Sequence, residues 1–361
     1  MKSLIKLILL IVNIAGAIVL LISAYGGHIN PQLSSLPGIA LMMLPLVALI
    51  MVALLLVDLL LWRRLAFMPA FAILICAAPL WNLSPLNISI TKPQHGDREL
   101  KVMTYNVCNF NYNHQSYSGD INYNLSTIIK ADADIVCLQE AAIGNLATWK
   151  TYRAQCDTLN QRYPYQITNE GQLTVWSRYP ITGIKLVQPE DPTAFFQCVN
   201  IEIENFPITL YNVHLQSIGL SPEDKKLYGS ITRRVTSRKL EKARDGFLSK
   251  LSHAMKERAG QAVLLREQID SIGGQNILVT GDFNDIADCW SQREVMGKDL
   301  KSAFTTAGLG PTVTYYANRF YFNIDHVLYS NGFTPVKYQR IKSLASDHYP
   351  VLVTFAIPQA Q

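Results

Sequence analysis

Side chains able to do chemistry gather at the ends of apolar runs. Val102-Met103-Thr104-Tyr105-Asn106 ends in an amide, and Ile135-Val136-Cys137-Leu138-Gln139-Glu140 ends in an amide and a carboxylate. Leu210-Tyr211-Asn212-Val213-His214 ends in Asn-x-His, and the run from Ile277 ends in Gly281-Asp282-Phe283-Asn284-Asp285. Ile324-Asp325-His326 opens a further run, and Ser346-Asp347-His348-Tyr349-Pro350 precedes the last. Any one of these has an ordinary explanation, because Asn, Asp and Gly are turn formers. Six in succession form a set of carboxylates, amides and imidazoles with no Gly-rich nucleotide loop beside it. That set suits metal-assisted hydrolysis of a phosphate ester. Carboxylates with water hold a hard ion such as Mg²⁺. Amides and imidazoles donate to charge developing on a phosphoryl group, and a further carboxylate can take a proton from water.

The elements that must position these groups are short apolar strands alternating with polar helical stretches. Leu100–Val107, Ile135–Gln139, Leu173–Ser177, Phe195–Ile203, Ile208–His214, Ile277–Gly281, Ile324–Tyr329 and Val351–Phe355 read as buried strands. Ile121–Lys130 and Asn145–Gln161 read as helices. Hairpin-like pairs with helices between them point to an α/β sandwich of two packed sheets.

The combination Tyr-Asn, Leu-Gln-Glu, Gly-Asp-Phe-Asn, Ile-Asp-His and Ser-Asp-His-Tyr-Pro resembles the endonuclease/exonuclease/phosphatase superfamily over roughly residues 99–357. The resemblance implies a four-layer α/β/β/α sandwich of two mixed sheets, with the site at one end of them. It implies Glu140 as the main metal ligand, supported by Asn106 and completed by Asp347, with Mg²⁺ the expected ion and Mn²⁺ an alternative. It implies that Asp282 activates water and that Asn284 holds the scissile phosphate. His348 would contact phosphate oxygens, oriented by Asp325. His214 matches the second histidine of the deoxyribonuclease, sphingomyelinase and 5-phosphatase branches, and argues against the AP endonucleases. Arg178, in Trp-Ser-Arg-Tyr-Pro-Ile, falls in a segment near the family's substrate and is a candidate phosphate clamp, with a surface arginine as the alternative. Asn323 stands where many relatives carry Arg, and Arg319 is the nearest substitute.

Charge divides the chain in two. Residues 1–85 carry five charged side chains, Lys2, Lys6, Asp58, Arg63 and Arg64, and the other 54 lie beyond them. Three uncharged stretches result, expected as membrane helices at about 7–25, 39–61 and 65–83. Pro69 and Pro79 interrupt the third. A cleaved signal peptide is the alternative for the first. Asp58 is expected to snorkel and pair with Arg63-Arg64. Lys2, Lys6, Arg63 and Arg64 mark the inner side, which places the domain beyond residue 86 on the periplasmic or extracytoplasmic face of the inner membrane. If the third stretch only lies at the interface, that domain is cytoplasmic instead. Residues 86–98 read as a linker and 99–361 as the catalytic domain. The six cysteines show no metal spacing and specify no disulfide.

Lys225 to Arg258 holds 11 basic and three acidic residues, a solvated helical face or a basic arm for an anionic partner. The expected activity is a membrane-anchored phosphoesterase with nucleic acid the first-choice substrate. Alternatives are a phospholipid head group, in the manner of a sphingomyelinase, a phosphomonoester, and a tethered binding module without activity. Beyond substrate and bilayer, no protein partner is implied.

Overall fold

In the computed structural model the described residues are 2–88, 97–113, 115–141, 151–169, 172–185, 195–204, 206–219, 221, 237–274, 276–317 and 321–358, with the backbone alone for 184–185 and 237–245. Arg233, Arg234 and Arg319, and the side chains of Arg238 and Lys239, lie outside the described residues, as do residues 145–150 of the second expected helix.

Two six-stranded mixed sheets form the body. The strands of the first are β1 (Asp97–Asn106), β4 (Ile135–Gln139), β5 (Tyr165–Thr168), β6 (Thr174–Ser177), β13 (Thr334–Arg340) and β14 (Val351–Pro358), in the order β13-β14-β1-β4-β6-β5. Those of the second are β7 (Ile181–Lys185), β8 (Phe196–Ile203), β9 (Phe206–His214), β10 (Ile277–Asp282), β11 (Lys301–Ser302) and β12 (Asp325–Tyr329), ordered β11-β12-β10-β9-β8-β7. A small hairpin, β2 (Tyr117–Ser118) with β3 (Ile121–Asn122), stands apart. Each large sheet is antiparallel except for one central parallel pair, β1 with β4 and β9 with β10. Because those four strands run the same way within each pair, their carboxyl ends, which carry the polar residues, lie together.

Alternation along the strands explains the layers, since successive side chains face opposite sides of a sheet. Val102, Cys137, Leu210, Leu278 and Val353 point between the sheets into one apolar core. Met103, Val136, Leu138 and Trp176 point the other way, onto helices Tyr123–Ala131 and Arg153–Arg162. Tyr211, Val213, Val279 and Leu328 point outward from the second sheet, onto Ala262, Leu265 and Ile269 of the long helix Ser237–Ile272. In section the body is therefore helix, sheet, sheet, helix.

The front of the chain is helical: α1 (Lys2–Tyr25), α2 (Leu36–Met42), α3 (Leu44–Leu61), α4 (Phe67–Ile75) and α5 (Ala77–Leu83). Two of these, α1 and α3, are long and apolar enough to cross a membrane, not three. The third stretch breaks at Cys76 into α4 and α5, and Pro79, which cannot donate to the preceding turn, lies just past the break. Asp58 also departs from expectation. It is fully buried between helices and accepts a hydrogen bond from Asn13 Nδ2 at 2.7 Å, without Arg63 or Arg64 as partner. Isoleucines and leucines such as Ile11, Ile18, Leu49 and Leu60 remain exposed around this bundle.

The bundle is seated on the sandwich. Leu20, Leu41, Leu44 and Cys76 share one apolar cluster with Ile286, Cys289 and Ile324. Gln32 Nε2 donates to Lys256 O and Trp81 Nε1 to Thr305 O. A Cβ at Gly27 would lie 1.8 Å from Asp288 O, so only glycine allows this approach. Leu86 and Asn87, expected in a linker, are instead bonded to Leu309, Thr305 and Gly308.

Candidate active site

The strand register assembles the candidate residues. His214 on β9 pairs with Asp282 on β10, and Asp282 pairs with Asp325 on β12. Paired residues share a face, so an imidazole and two carboxylates stand in one row across three strands. Opposite them, Asn106 ends β1 beside Gln139 at the end of β4, and Glu140 follows. Glu140 and Asn284 have left-handed backbones, with φ of 49° and 51°, an uncommon conformation outside glycine that turns each chain sharply at its strand end. Gly281 has φ 148°, and a Cβ there would meet Val213 O at 1.9 Å, so β9 and β10 close this tightly only over a glycine.

Below the row, the space between the sheets changes from apolar to polar. Gln139 Nε2 donates to Asn212 Oδ1 at 2.7 Å, and Asn212 Nδ2 donates to Leu138 O and Thr174 O. This network ties the two sheets together where the site begins. Asn106 extends it. Its Nδ2 donates to Glu140 Oε1 and Asp282 Oδ2, both at 3.1 Å, while its Oδ1 accepts from the Cys108 N–H. Asn106 thus faces the carboxylates with its N–H groups rather than its oxygen, and acts on the ion position through Glu140.

His348 is buried, with Nδ1 2.9 Å from Asp325 Oδ2 and Nε2 3.5 Å from Asp282 Oδ2. Burial alone would lower its pKa, but the flanking charges of Asp325 and Asp282 overcome that and push it up to about 10. It is therefore an imidazolium at neutral pH, with one proton held by Asp325 and the other directed to Asp282. His214 Nε2 lies 3.8 Å from both Glu140 Oε1 and Asp282 Oδ2. Asn284 donates from its backbone N–H to Asp282 Oδ1 and from Nδ2 to Leu215 O, leaving its second amide hydrogen for another acceptor. Ser346 Oγ donates to Asn106 O, which anchors the Ser-Asp-His loop against β1.

Two groupings could be considered for a cation. Asp282, Asp325 and His348 place ligand atoms within 4.8 Å of one another. An imidazolium already links those two carboxylates, so this trio is satisfied by a proton. The other grouping is Glu140 with Asp347, and it has the hard oxygen donors that Mg²⁺ requires. Burial raises the Asp347 pKa; His348 pulls it down, while the charges of Glu140 and Asp282 push it further up. Among the described residues, no Lys or Arg forms an ion pair with Glu140, Asp282 or Asp347. Crowded carboxylates without a Lys or Arg partner fit a divalent cation.

Five of these residues open into one cavity of about 280 Å³. Glu140, Asp282, Asn284, Asp347 and His348 line one side; Met42, Phe247, Leu251, Ile286, Phe322 and Ile324 line the other. Arg258 also lines it, a role that its basic sequence neighbourhood disguises. Within the basic stretch it looks like one more surface charge, yet it is buried, its Nε donating to Asp285 Oδ2 at 3.1 Å and its Nη1 to Gln216 O. Its i±4 apolar neighbours Ala254 and Ala262 were the available signal, since they mark the inner face of the helix.

Arg178 does not reach the site. It follows Ser177, which pairs with Ile135 at the start of β4, five residues before Glu140. Its guanidinium bonds Asp134 at 3.0 Å and Asp132, at the opposite end of the sheet. The correction has a simple cause: β6 is antiparallel to β4, so the residue after it leaves the far end.

Residues 103–348 match the sequence model of the Endonuclease/Exonuclease/phosphatase family. Residues 6–83 match that of a domain of unknown function, DUF8431. No curated protein matches the chain. Among solved structures, an endonuclease/exonuclease/phosphatase family protein from Bacteroides thetaiotaomicron is 18% identical, covering 72% of this chain and 98% of its own, with a TM-score of 0.48. One from Bacteroides vulgatus is 15% identical, covering 72% and 99%, with a TM-score of 0.48. Truncated Caenorhabditis elegans TDP2 is 18% identical, covering 72% and 97%, with a TM-score of 0.45.

Proposed function

The chain belongs to the endonuclease/exonuclease/phosphatase family, whose members are metal-dependent hydrolases of phosphate esters, and from that premise we propose a membrane-anchored, Mg²⁺-dependent phosphodiesterase that works by attack of water. The observation that carries this reading is the row His214, Asp282, Asp325 with His348 clamped between its two carboxylates. Asp282, held by Asn106 and the Asn284 N–H, accepts the proton of the attacking water. The spare Asn284 N–H donates to a phosphoryl oxygen, and the His348 Nε2–H, only loosely held 3.5 Å from Asp282 Oδ2, turns to another when substrate binds. His214, 3.8 Å from Glu140 and Asp282, is the remaining group that can supply a proton to the leaving oxygen. Glu140 and Asp347 would hold the ion, with Asn106 fixing Glu140; a bound ion would supply charge neutralisation at the phosphate.

The helices favour anchoring. The hairpin end of α1 and α3 and the end of α5 all meet the catalytic domain, whereas Lys2, Lys6, Arg63 and Arg64 lie at the other helix ends. This arrangement supports an inner-membrane protein with residues 1–85 as anchor, α4 and α5 together returning the chain, and the domain of residues 99–361 on the extracytoplasmic side.

Full-length protein assayed on a p-nitrophenyl phosphodiester tests the reading. Hydrolysis should require Mg²⁺, stop with EDTA and be lost in Asp282→Ala. Activity that survives EDTA or that substitution excludes the mechanism.

A further inference from the structure

The cavity is amphipathic, and its apolar wall begins in the anchor. Met42, the last residue of α2, lines it, and Leu44, two residues on, opens α3. Leu251 and Phe247 of the long helix and Ile286 and Ile324 of the sandwich continue that wall. The same part of the long helix is fixed to the anchor. Ser252 Oγ bonds Ser35 Oγ at 2.6 Å, and Met255 lies against Gly38. Leu33, in the loop before α2, and Leu36, its first residue, are exposed at 85% and 70%. Apolar side chains exposed beside a spanning helix belong at a bilayer interface.

Among the described residues, the cavity offers little positive charge to a polyanion. A nucleic acid needs several Lys or Arg along its backbone track. Among the described residues, Arg258 is the one Lys or Arg in the lining, and Asp285 already neutralises it. A single phosphate head with an apolar stem matches both walls at once.

We propose that the substrate is a membrane-resident amphiphile. Its phosphate ester lies at Asp282, Asn284 and His348, and its apolar stem passes over Met42 and Leu251 towards the lipid around α3. This rests on the phosphodiesterase reading above and adds the substrate class and the residues that select it. Met42 and Leu251 are specificity residues, acting on the stem rather than on the reacting atoms.

The test uses full-length protein in detergent micelles with Mg²⁺ and two p-nitrophenyl phosphodiesters, one bearing a methyl and the other a hexadecyl group. The scissile bond is the same, so the kcat/KM ratio of long to short reports the stem alone. The expected ratio is about tenfold or more, falling at least about fivefold in both Met42→Lys and Leu251→Glu and restored in Met42→Leu. A variant that fails to fold loses both diesters and leaves no ratio, which is why two positions on separate elements are used. A high ratio that survives both charged variants is micelle partitioning, and overturns the inference. So does faster cleavage of plasmid DNA than of either diester. Hydrolysis of none of the three by the wild-type protein overturns the phosphodiesterase reading instead.

Discussion

The two ends of the sandwich treat acidic residues in opposite ways. At the end where β1 and β4 begin, Asp132 and Asp134 are matched by Arg178 and Arg162, with Arg178 also over the ring of Tyr163. At the end where those strands finish, Glu140, Asp282 and Asp347 crowd together with two imidazoles, and no described Lys or Arg, beside them. The first arrangement is what a fold does for stability: each charge has a partner, and the pairs are partly exposed. The second works against stability, and persists because a third party is meant to complete it.

Substituting the middle carboxylate should break the contrast most. Asp282→Ala is expected to lower kcat by about a thousandfold or more while leaving the thermal midpoint unchanged or higher, because it thins a cluster of like charges. A fall in both would make Asp282 an ordinary structural carboxylate. Chelation is the companion experiment. Saturating Mg²⁺ should raise unfolding stability by about 2–3 kcal/mol at a hundredfold excess over Kd, and Glu140→Gln should remove that increment.

The buried histidine beside Asp325 sharpens the comparison by pH. His326 is buried, donates from Nε2 to Asp285 O, and burial holds its pKa down at about 4. Between about 4 and the ordinary 6.5, the unfolded chain binds a proton that the folded chain refuses. Stability should therefore fall as pH drops through that window, by an amount on the order of 3 kcal/mol. His348, pushed up to about 10, stays charged there and adds no slope; its own contribution is lost only as pH rises from 6.5 through about 10. Thermal melts at pH 7 and pH 5 check this, with His326→Asn expected to flatten the acid limb.

The smallest effect belongs to the satisfied end. Arg178→Ala should cost about 1 kcal/mol, since its side chain is 30% exposed and solvent screens the pairs. Its kcat and KM should not move. A raised KM would return Arg178 to the substrate.

Much of this contrast was legible before any coordinates. Asn106, Glu140, His214, Asp282 and His348 announce themselves because each ends or precedes an apolar run, and the strand period fixes which end of the sheet they occupy. What could not be read depends on contacts between distant segments. Arg258 sits in a stretch whose composition is that of a solvated helix; Ala254 and Ala262 hint at an inward face, but its partner Asp285 lies in another segment. Asp58 has Arg63 and Arg64 close by in sequence, yet its partner Asn13 is 45 positions away on another helix. Arg178 misled because a motif fixes a neighbourhood in sequence, while strand direction decides which end of the sheet follows. The edge strands β5, β7, β11 and β13 lack a strong apolar pattern, being half exposed, and were missed for that reason.

The seating of Gly27 against Asp288 bears on how the enzyme can be handled. Cutting the chain before β1 would strip the cover from Ile286, Cys289 and Ile324 and remove Met42 from the cavity wall. The fragment left behind would carry a bare greasy face next to its catalytic groups, prone to self-association. A soluble form for crystallisation or screening is better made by recoloring the outer faces of α1 and α3 with polar residues than by truncation.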